Sequence, residues 1–222
     1  MGGSRAAAIV LAGGSGSRLG SDLPKALVKV AGVPMVTRAV RAATSVAELV
    51  VVAAPAGQEE SVRKALDRSP EVLVVAGGGT RQASVRAALE RIPTDRELIV
   101  VHDAARPFAS PGLFESVIAA VVAGVDGVVP VVAISDTIKR VRGGTVVATE
   151  DRAELGLAQT PQAFRASVLR EVHAEADAAG VNLTDDAAVL EWAGYRVSVV
   201  PGEPGNFKIT TPADLERAVA RG

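Results

Sequence analysis

Five short, almost unbroken aliphatic runs set the strongest limit on how this chain can fold. They are Ala8 to Leu11, Glu48 to Ala54 (ELVVVAA), Val72 to Val75, Leu98 to His102 and Gly127 to Val132. Runs this short and continuous suit strands covered on both faces, as in a parallel sheet. Between them lie segments with helical spacing. Met35 to Thr44 places Val36, Val40 and Ala43 on one side, and Gln58 to Asp67 follows the next run. Thr80 can cap a helix through Val85, Leu89 and Ile92, and Gly112 to Val122 is helical again. This alternation predicts βαβ units and a Rossmann-like, doubly wound, mostly parallel α/β sheet with helices on both faces. Ligands of such sheets bind beyond the carboxyl ends of the strands.

The rhythm breaks after Val132. Asp136 to Glu150 (DTIKRVRGGTVVATE) alternates polar and apolar residues about Gly143-Gly144, the pattern of a β-hairpin. Two strands alone are marginally stable, so this arm, about residues 134–160, needs another surface, and a second subunit would supply one. A helix is expected from Ala166 to Ala178, with His173 on its solvated side. Another is expected behind Thr184, which would cap it, with Asp185 and Asp186 favoured by the helix dipole. Late strands are expected at Tyr195 to Val200 and Phe207 to Ile209. Thr211-Pro212 then opens a last helix to Ala220. Trp192 and Tyr195 read as core fillers. With no internal repeat or linker, residues 1–222 form one domain carrying the arm as an insertion.

Composition narrows the function classes. A formal charge of −1 gives no electrostatic case for nucleic acid or an anionic membrane as partner. The chain has no Cys, which excludes disulfides and thiolate metal sites and fits a reducing cytoplasm. The opening apolar run is short and followed by glycines rather than a cleavage-like region, so it does not read as a signal peptide. No run approaches the roughly 18 apolar residues of a membrane span.

The chemistry concentrates where the first run empties into glycines. Ala12 and Gly13, Gly14, Gly16 and Gly20 surround Arg18, with Lys25 just beyond. Glycines let backbone N–H groups approach a ligand closely, and concave runs of N–H groups bind anions. Two familiar phosphate loops fail on spacing. The dinucleotide fingerprint G-x-G-x-x-G would need glycine where Leu19 stands, and a Walker loop would need glycine before and Ser or Thr after Lys25, where Pro24 and Ala26 stand. Asp103 closes another strand-like run, so loops and carboxylate converge on one end of the expected sheet. His102 reads as a strand-end residue, since no Ser or Cys partner is evident.

The stretch Leu11 to Lys25 resembles the loop of nucleotidyltransferases that activate sugars and polyols. Ile99 to Pro107 (IVVHDAARP) and Gly77 to Val85 (GGGTRQASV) are similar to segments of the 2-C-methyl-D-erythritol 4-phosphate cytidylyltransferases and their polyol-phosphate relatives. Asp136-Thr137-Ile138-Lys139, Arg152, Thr160-Pro161-Gln162, Thr184-Asp185-Asp186-Ala187 and Asn206 to Thr210 extend the likeness over essentially the whole chain. The resemblance implies a homodimer with exchanged arms that joins CTP to a polyol phosphate and releases pyrophosphate. It implies that Ala12, Gly13, Gly14 and Gly16 line the nucleotide and that Gly78, Gly79 and Ser84 read the base. Arg18, Lys25 and Lys208 would surround the transferring phosphoryl group, with Asp103 facing the ribose or a Mg²⁺ held mainly by the triphosphate. Arg106, Thr137, Arg152, Thr160 and Thr184 would hold the acceptor, Thr137 and Arg152 from the neighbouring subunit. Ribitol 5-phosphate is the alternative acceptor, and a non-catalytic nucleotide-binding protein the alternative of another class. Gly79 and Gly205 stand where some relatives carry an acid, which removes a nucleotide contact and weakens any second metal ligand.

Overall fold

The first strand, β1 (Ala6–Leu11), has no exposed surface from Ala6 to Val10, as a strand apolar on both faces requires. A small antiparallel ribbon follows, β2 (Lys29–Val30) and β3 (Val33–Pro34). The chain then alternates through α1 (Met35–Thr44), β4 (Leu49–Ala54), α2 (Glu59–Ala65), β5 (Val72–Ala76), α3 (Arg81–Leu89), β6 (Leu98–Asp103), α4 (Pro111–Val122) and β7 (Gly127–Ala133). This is a computed structural model, and it describes residues 5–14, 16–20, 23–66 and 71–221. Asp67, the expected last residue of the helix from Gln58, lies outside them.

Beyond β7 come the hairpin β8 (Lys139–Arg142) and β9 (Thr145–Thr149), then β10 (Gly156–Ala158), β11 (Gln162–Arg165), α5 (Ala166–Ala178), α6 (Asp186–Trp192), β12 (Val197–Pro201) and α7 (Pro212–Arg221). The hairpin turns at Gly143 and Gly144, whose φ of 54° and 78° are costly for residues with a Cβ. Val141, Val146 and Val147 on it are at least half exposed.

β1 pairs in parallel with β4 on one side and β6 on the other, and β4 pairs with β5. The chain therefore winds outward from β1 to β5, then crosses back past β1 through α3. That reversal opens a crevice at the carboxyl ends of the strands. Alternate β1 residues face the two cores: Ala6, Ala8 and Val10 pack with α1, α2 and α4, while Ala7 and Ile9 pack with α3, α5 and α6. A third cluster joins Leu19, Val28, Val30 and Met35 to Ile209 and to Ala218 of α7.

The doubly wound sheet was legible in the sequence, and its far half differs in detail. β11 lies between β6 and β7, antiparallel to both, and β10 also runs antiparallel to β7. Phe207 to Ile209 is not a strand: buried Ile209 donates its N–H to Ala105 and packs under α7 instead of entering the sheet. Asp185, not Thr184, caps α6, accepting from Ala188 N at 3.0 Å, because the helix starts one residue later than expected. His173 is 1% exposed, since its side of α5 faces α6. Trp192 is 42% exposed at the end of α6, whereas Tyr195 is partly buried against the second core.

Gly127 shows how closely that core is filled. A Cβ there would lie 2.7 Å from Leu190 and 3.0 Å from Phe164, both fully buried. Gly127→Ala is expected to cost about 1–3 kcal/mol through overpacking, read as a lower urea midpoint with unchanged m-value.

Candidate active site

Backbone hydrogen bonds tie the ends of β1 and β6 to their neighbours. Ala12 donates its N–H to Ala53, and Ala104, just past β6, donates to Leu11. Gly16 adopts a φ of 74°, and a Cβ there would crowd the Lys25 backbone at 3.3 Å, so the turn of the loop requires a glycine at this position. Lys25 follows on a short 3-10 turn, its own N–H directed to Gly14 O.

The loop after β5 forms the facing wall. Thr80 caps α3 by accepting from Ala83 N at 3.0 Å. Ser84 donates to Thr80 O at 2.9 Å and accepts from Gly78 N at 3.1 Å, tying the loop to the first turn of that helix. A Cβ on Gly78 would meet Ala83 at 2.4 Å, whereas one on Gly79 would meet nothing within 4 Å. Gly78 is thus required by packing, and Gly79 leaves open space.

These loops and the end of β6 enclose a cavity of about 330 Å³. Its lining includes Ala12, Gly13, Gly14, Arg18, Lys25, Gly78, Gly79, Ser84, Asp103 and Lys208, all expected from the sequence, together with Thr80, Arg81, Ala104 and Ala105. Arg18, Lys25, Arg81 and Lys208 bring four cations to it, and Asp103 is the one carboxylate among the described lining residues. Lys208 Nζ lies 2.7 Å from Asp103 Oδ2, and Arg81 Nε lies 3.5 Å from Oδ1. Burial opposes ionisation of Asp103, but Arg81 and then Lys208 outweigh it and hold the carboxyl well below the usual range. Burial, then Lys208 and Arg18, pull Lys25 below an ordinary lysine, with Asp103 partly compensating. A cluster of positive charge meeting open space is a site built for an anion.

The remaining expected residues stand elsewhere. Arg106 donates to the Asn206 and Ala158 carbonyls at 2.8 and 3.1 Å, clamping two segments from behind the cavity. Thr160 is buried: its hydroxyl accepts from Asp103 N and meets His102 Nδ1, each at 3.0 Å. His102 Nε2 faces the Arg106 carbonyl at 3.1 Å. A carbonyl only accepts, so Nε2 carries the proton, Nδ1 is bare, and Thr160 donates to it. His102 therefore fixes the end of β6. Thr137 and Arg152 are exposed on the arm, with Arg152 bonded to Ser135 O, and Thr184 does not line the cavity.

The pairing of residues 103 and 208 depends on buried contacts around the loop before α7 that residue spacing does not reveal. Asn206, fully buried, donates to Gln159 Oε1 and to Thr160 O at 3.2 and 2.8 Å, anchoring the loop that carries Lys208. Arg221 of α7 donates to Gly205 O, and its guanidinium fills the space a side chain at 205 would take. Asp186 was also missed as a partner of Arg81, since two acids at a helix start read alike until one is buried.

No group of three or more His, Cys, Asp or Glu side chains among the described residues could hold a metal ion. Asp103, whose two oxygens face Arg81 and Lys208, is the one lining carboxylate that could serve a Mg²⁺ taking its other ligands from a bound anion and water.

Burial, opposed by Asp103, pushes His102 down to about 4. Its folded pKa lies below the unfolded value near 6.5, so the unfolded chain binds the extra proton between them and stability rises with pH across that window. Full stability from this group is present above about pH 6.5 and is lost towards pH 4, up to roughly 3 kcal/mol. The unfolding free energy from chemical denaturation should therefore fall more steeply from pH 7.5 to 4.5 for the wild type than for His102→Gln.

The chain matches the family model described as "IspD: 2-C-methyl-D-erythritol 4-phosphate cytidylyltransferase" over residues 6–221. It is 46% identical to the 2-C-methyl-D-erythritol 4-phosphate cytidylyltransferase of Saccharopolyspora erythraea, covering 96% of this chain and 97% of that protein. It is 42% identical to the bifunctional enzyme IspD/IspF of Rhodopseudomonas palustris, where 98% of this chain spans only 55% of the longer protein. Among solved structures, the 2-C-methyl-D-erythritol 4-phosphate cytidylyltransferase of Thermus thermophilus superposes with a TM-score of 0.82 at 35% identity, covering 96% of this chain and 97% of that one.

Proposed function

The chain belongs to the 2-C-methyl-D-erythritol 4-phosphate cytidylyltransferase family, and on that premise we propose that it joins CTP to 2-C-methyl-D-erythritol 4-phosphate and releases pyrophosphate. The product, 4-diphosphocytidyl-2-C-methyl-D-erythritol, would serve non-mevalonate isoprenoid precursor biosynthesis. The observation that carries the reading is the convergence of Arg18, Lys25, Arg81 and Lys208 on a glycine-walled cavity at the strand ends.

An oxygen of the acceptor phosphate attacks the α-phosphorus of CTP. The new P–O bond forms as the bond to the β-phosphate oxygen breaks, and pyrophosphate carries away the electron pair. The acceptor is already anionic near neutral pH, so no general base is required. The residues supply position and charge. Gly13 and Gly14 offer backbone close to the phosphates, Arg18 holds the leaving pair, and Lys25 and Lys208 neutralise charge at the α-phosphate. Crowding of these cations favours an incoming polyanion, which relieves their mutual repulsion. Lys208 meets it by exchanging part of its contact with Asp103. Mg²⁺, with Asp103 as its protein ligand, would add charge neutralisation across the triphosphate.

The reading extends to a homodimer. The hairpin β8–β9 forms its own two-stranded sheet with exposed valines, and a partner's surface would cover it while bringing Thr137 and Arg152 to the neighbouring site. Arg106 and Thr160 would then act on the acceptor through the framework they brace, and Thr184 from the rim. The proposal places the enzyme in the cytoplasm, in keeping with a cysteine-free chain.

A pyrophosphate-release assay with Mg²⁺ present should give turnover for CTP with methylerythritol phosphate and little with ribitol 5-phosphate. Turnover with ribitol phosphate alone would reassign the acceptor, and CTP binding without turnover for either would point to a non-catalytic role. Lys25→Ala should lower turnover about a hundredfold or more, as loss of a charge stabiliser does. Unchanged turnover would remove Lys25 from the transition state. Sedimentation should give a dimer, and a fully active monomer would contradict the shared site.

A further inference from the structure

Behind the cavity wall lies a pair of buried ionisable groups that the proposed reaction does not use. Asp186 has no exposed surface and His173 is 1% exposed, and neither lines the cavity. Asp186 Oδ1 lies 3.0 Å from His173 Nε2, and Oδ2 lies 2.7 Å from Arg81 NH1. The same guanidinium reaches forward to Asp103, which reaches Lys208. Charges therefore alternate from interior to cavity: Asp186, Arg81, Asp103, Lys208.

We propose that Asp186, held by His173, is a positioning residue that draws Arg81 back against the cavity wall and so leaves Asp103 free to engage Lys208. The inference rests on reading the cavity as the CTP site.

The distances carry the argument. A guanidinium facing a single carboxylate tends to close on it in a two-pronged contact that occupies both oxygens. Arg81 does not do this to Asp103. Its contact there is one nitrogen at 3.5 Å, the longer of its two ion pairs, while the shorter, 2.7 Å, goes to Asp186. The pull from behind leaves Asp103 Oδ2 to Lys208 at 2.7 Å. With Asp186 neutral, Asp103 becomes the only carboxylate in contact with Arg81 among the described pairs. The guanidinium would then swing forward and take both oxygens, which spends the Arg81 charge on Asp103 and leaves Lys208 with no partner to hold it at the cavity.

Asp186 is itself held in place. Gln82, next to Arg81 and 3% exposed, donates to Val181 O at 3.0 Å and accepts from Leu183 N at 3.1 Å. Gln162 donates to Asp185 at 2.8 Å and accepts from Ala187 N at 3.3 Å. Gln82 thus braces the loop leading into α6 against α3, and Gln162 braces the start of α6 against β11. The direction of ionisation agrees: burial disfavours the Asp186 carboxylate, and Arg81 followed by His173 outweighs it. A fold that buries a carboxylate for packing alone would do better with an apolar residue.

The test is a double-mutant cycle on the full chain, with CTP affinity measured by calorimetry at fixed ionic strength for the wild type, R81Q, D186N and R81Q/D186N. If Asp186 acts through Arg81, each single variant weakens CTP binding by about tenfold, and the double variant is no weaker than R81Q to within about twofold. Losses that multiply to about a hundredfold in the double variant would overturn the proposal. Wild-type affinity in D186N would also overturn it, since a purely structural role lowers thermal stability and the active fraction without moving the affinity of folded sites. Should D186N not accumulate as folded protein, His173→Leu replaces it in the same cycle. A weaker, non-additive effect is expected there, and a null or additive one overturns the proposal. A wild type that binds no CTP overturns this inference together with the proposed function, whereas a normal wild type with an unaffected D186N overturns this inference alone.

Discussion

The site depends on one carboxylate at the end of a buried strand paired on both sides. Asp103 closes β6, which is buried from Leu98 onward and hydrogen-bonded to β1 on one side and β11 on the other. Its side chain gathers Arg81 from the start of α3 and Lys208 from the loop before α7, segments more than a hundred residues apart in the chain. Buried charges are tolerated only when paired. The pairing thus organises the cavity electrostatically and decides which cations face it with no carboxylate against them.

Around that carboxylate the structure separates rigidity from openness. Thr160, His102 and Arg106 form a chain of directed hydrogen bonds beneath the strand end, and Asn206 fastens the Lys208 loop to the same layer. Arg217 lies over Phe207 at 4.2 Å and Arg221 over Phe108 at 4.9 Å, which presses α7 onto that loop. Preorganised charge is worth most where it need not rearrange during reaction. The arm has the opposite character, since β8 and β9 pair only with each other.

The sequence made the first half of the fold legible because continuous aliphatic runs can be satisfied only between two layers of helices. α1 and α5 begin and end where their apolar spacing says. It was less informative beyond residue 150. β11 is antiparallel, and its few residues precede a helix with no turn signal between them. Phe207 to Ile209 has the composition of a strand, yet it packs under α7 because β12, not this segment, pairs with β7.

By itself the sequence determined the cradle: glycines where backbone must come close, cations at set distances from them, and an acid at a strand end. These depend on local backbone conformation, which spacing encodes. Only the tertiary structure decided which charges face the cavity and which brace it. Arg106 and Thr160 turned out to be engaged beneath the strand end, Arg81 to be shared between two carboxylates, and Asp186, in the first turn of α6, to be buried as the partner of Arg81. The reason is physical. A charged side chain is placed by the partner that balances its burial, and that partner can lie anywhere in the chain.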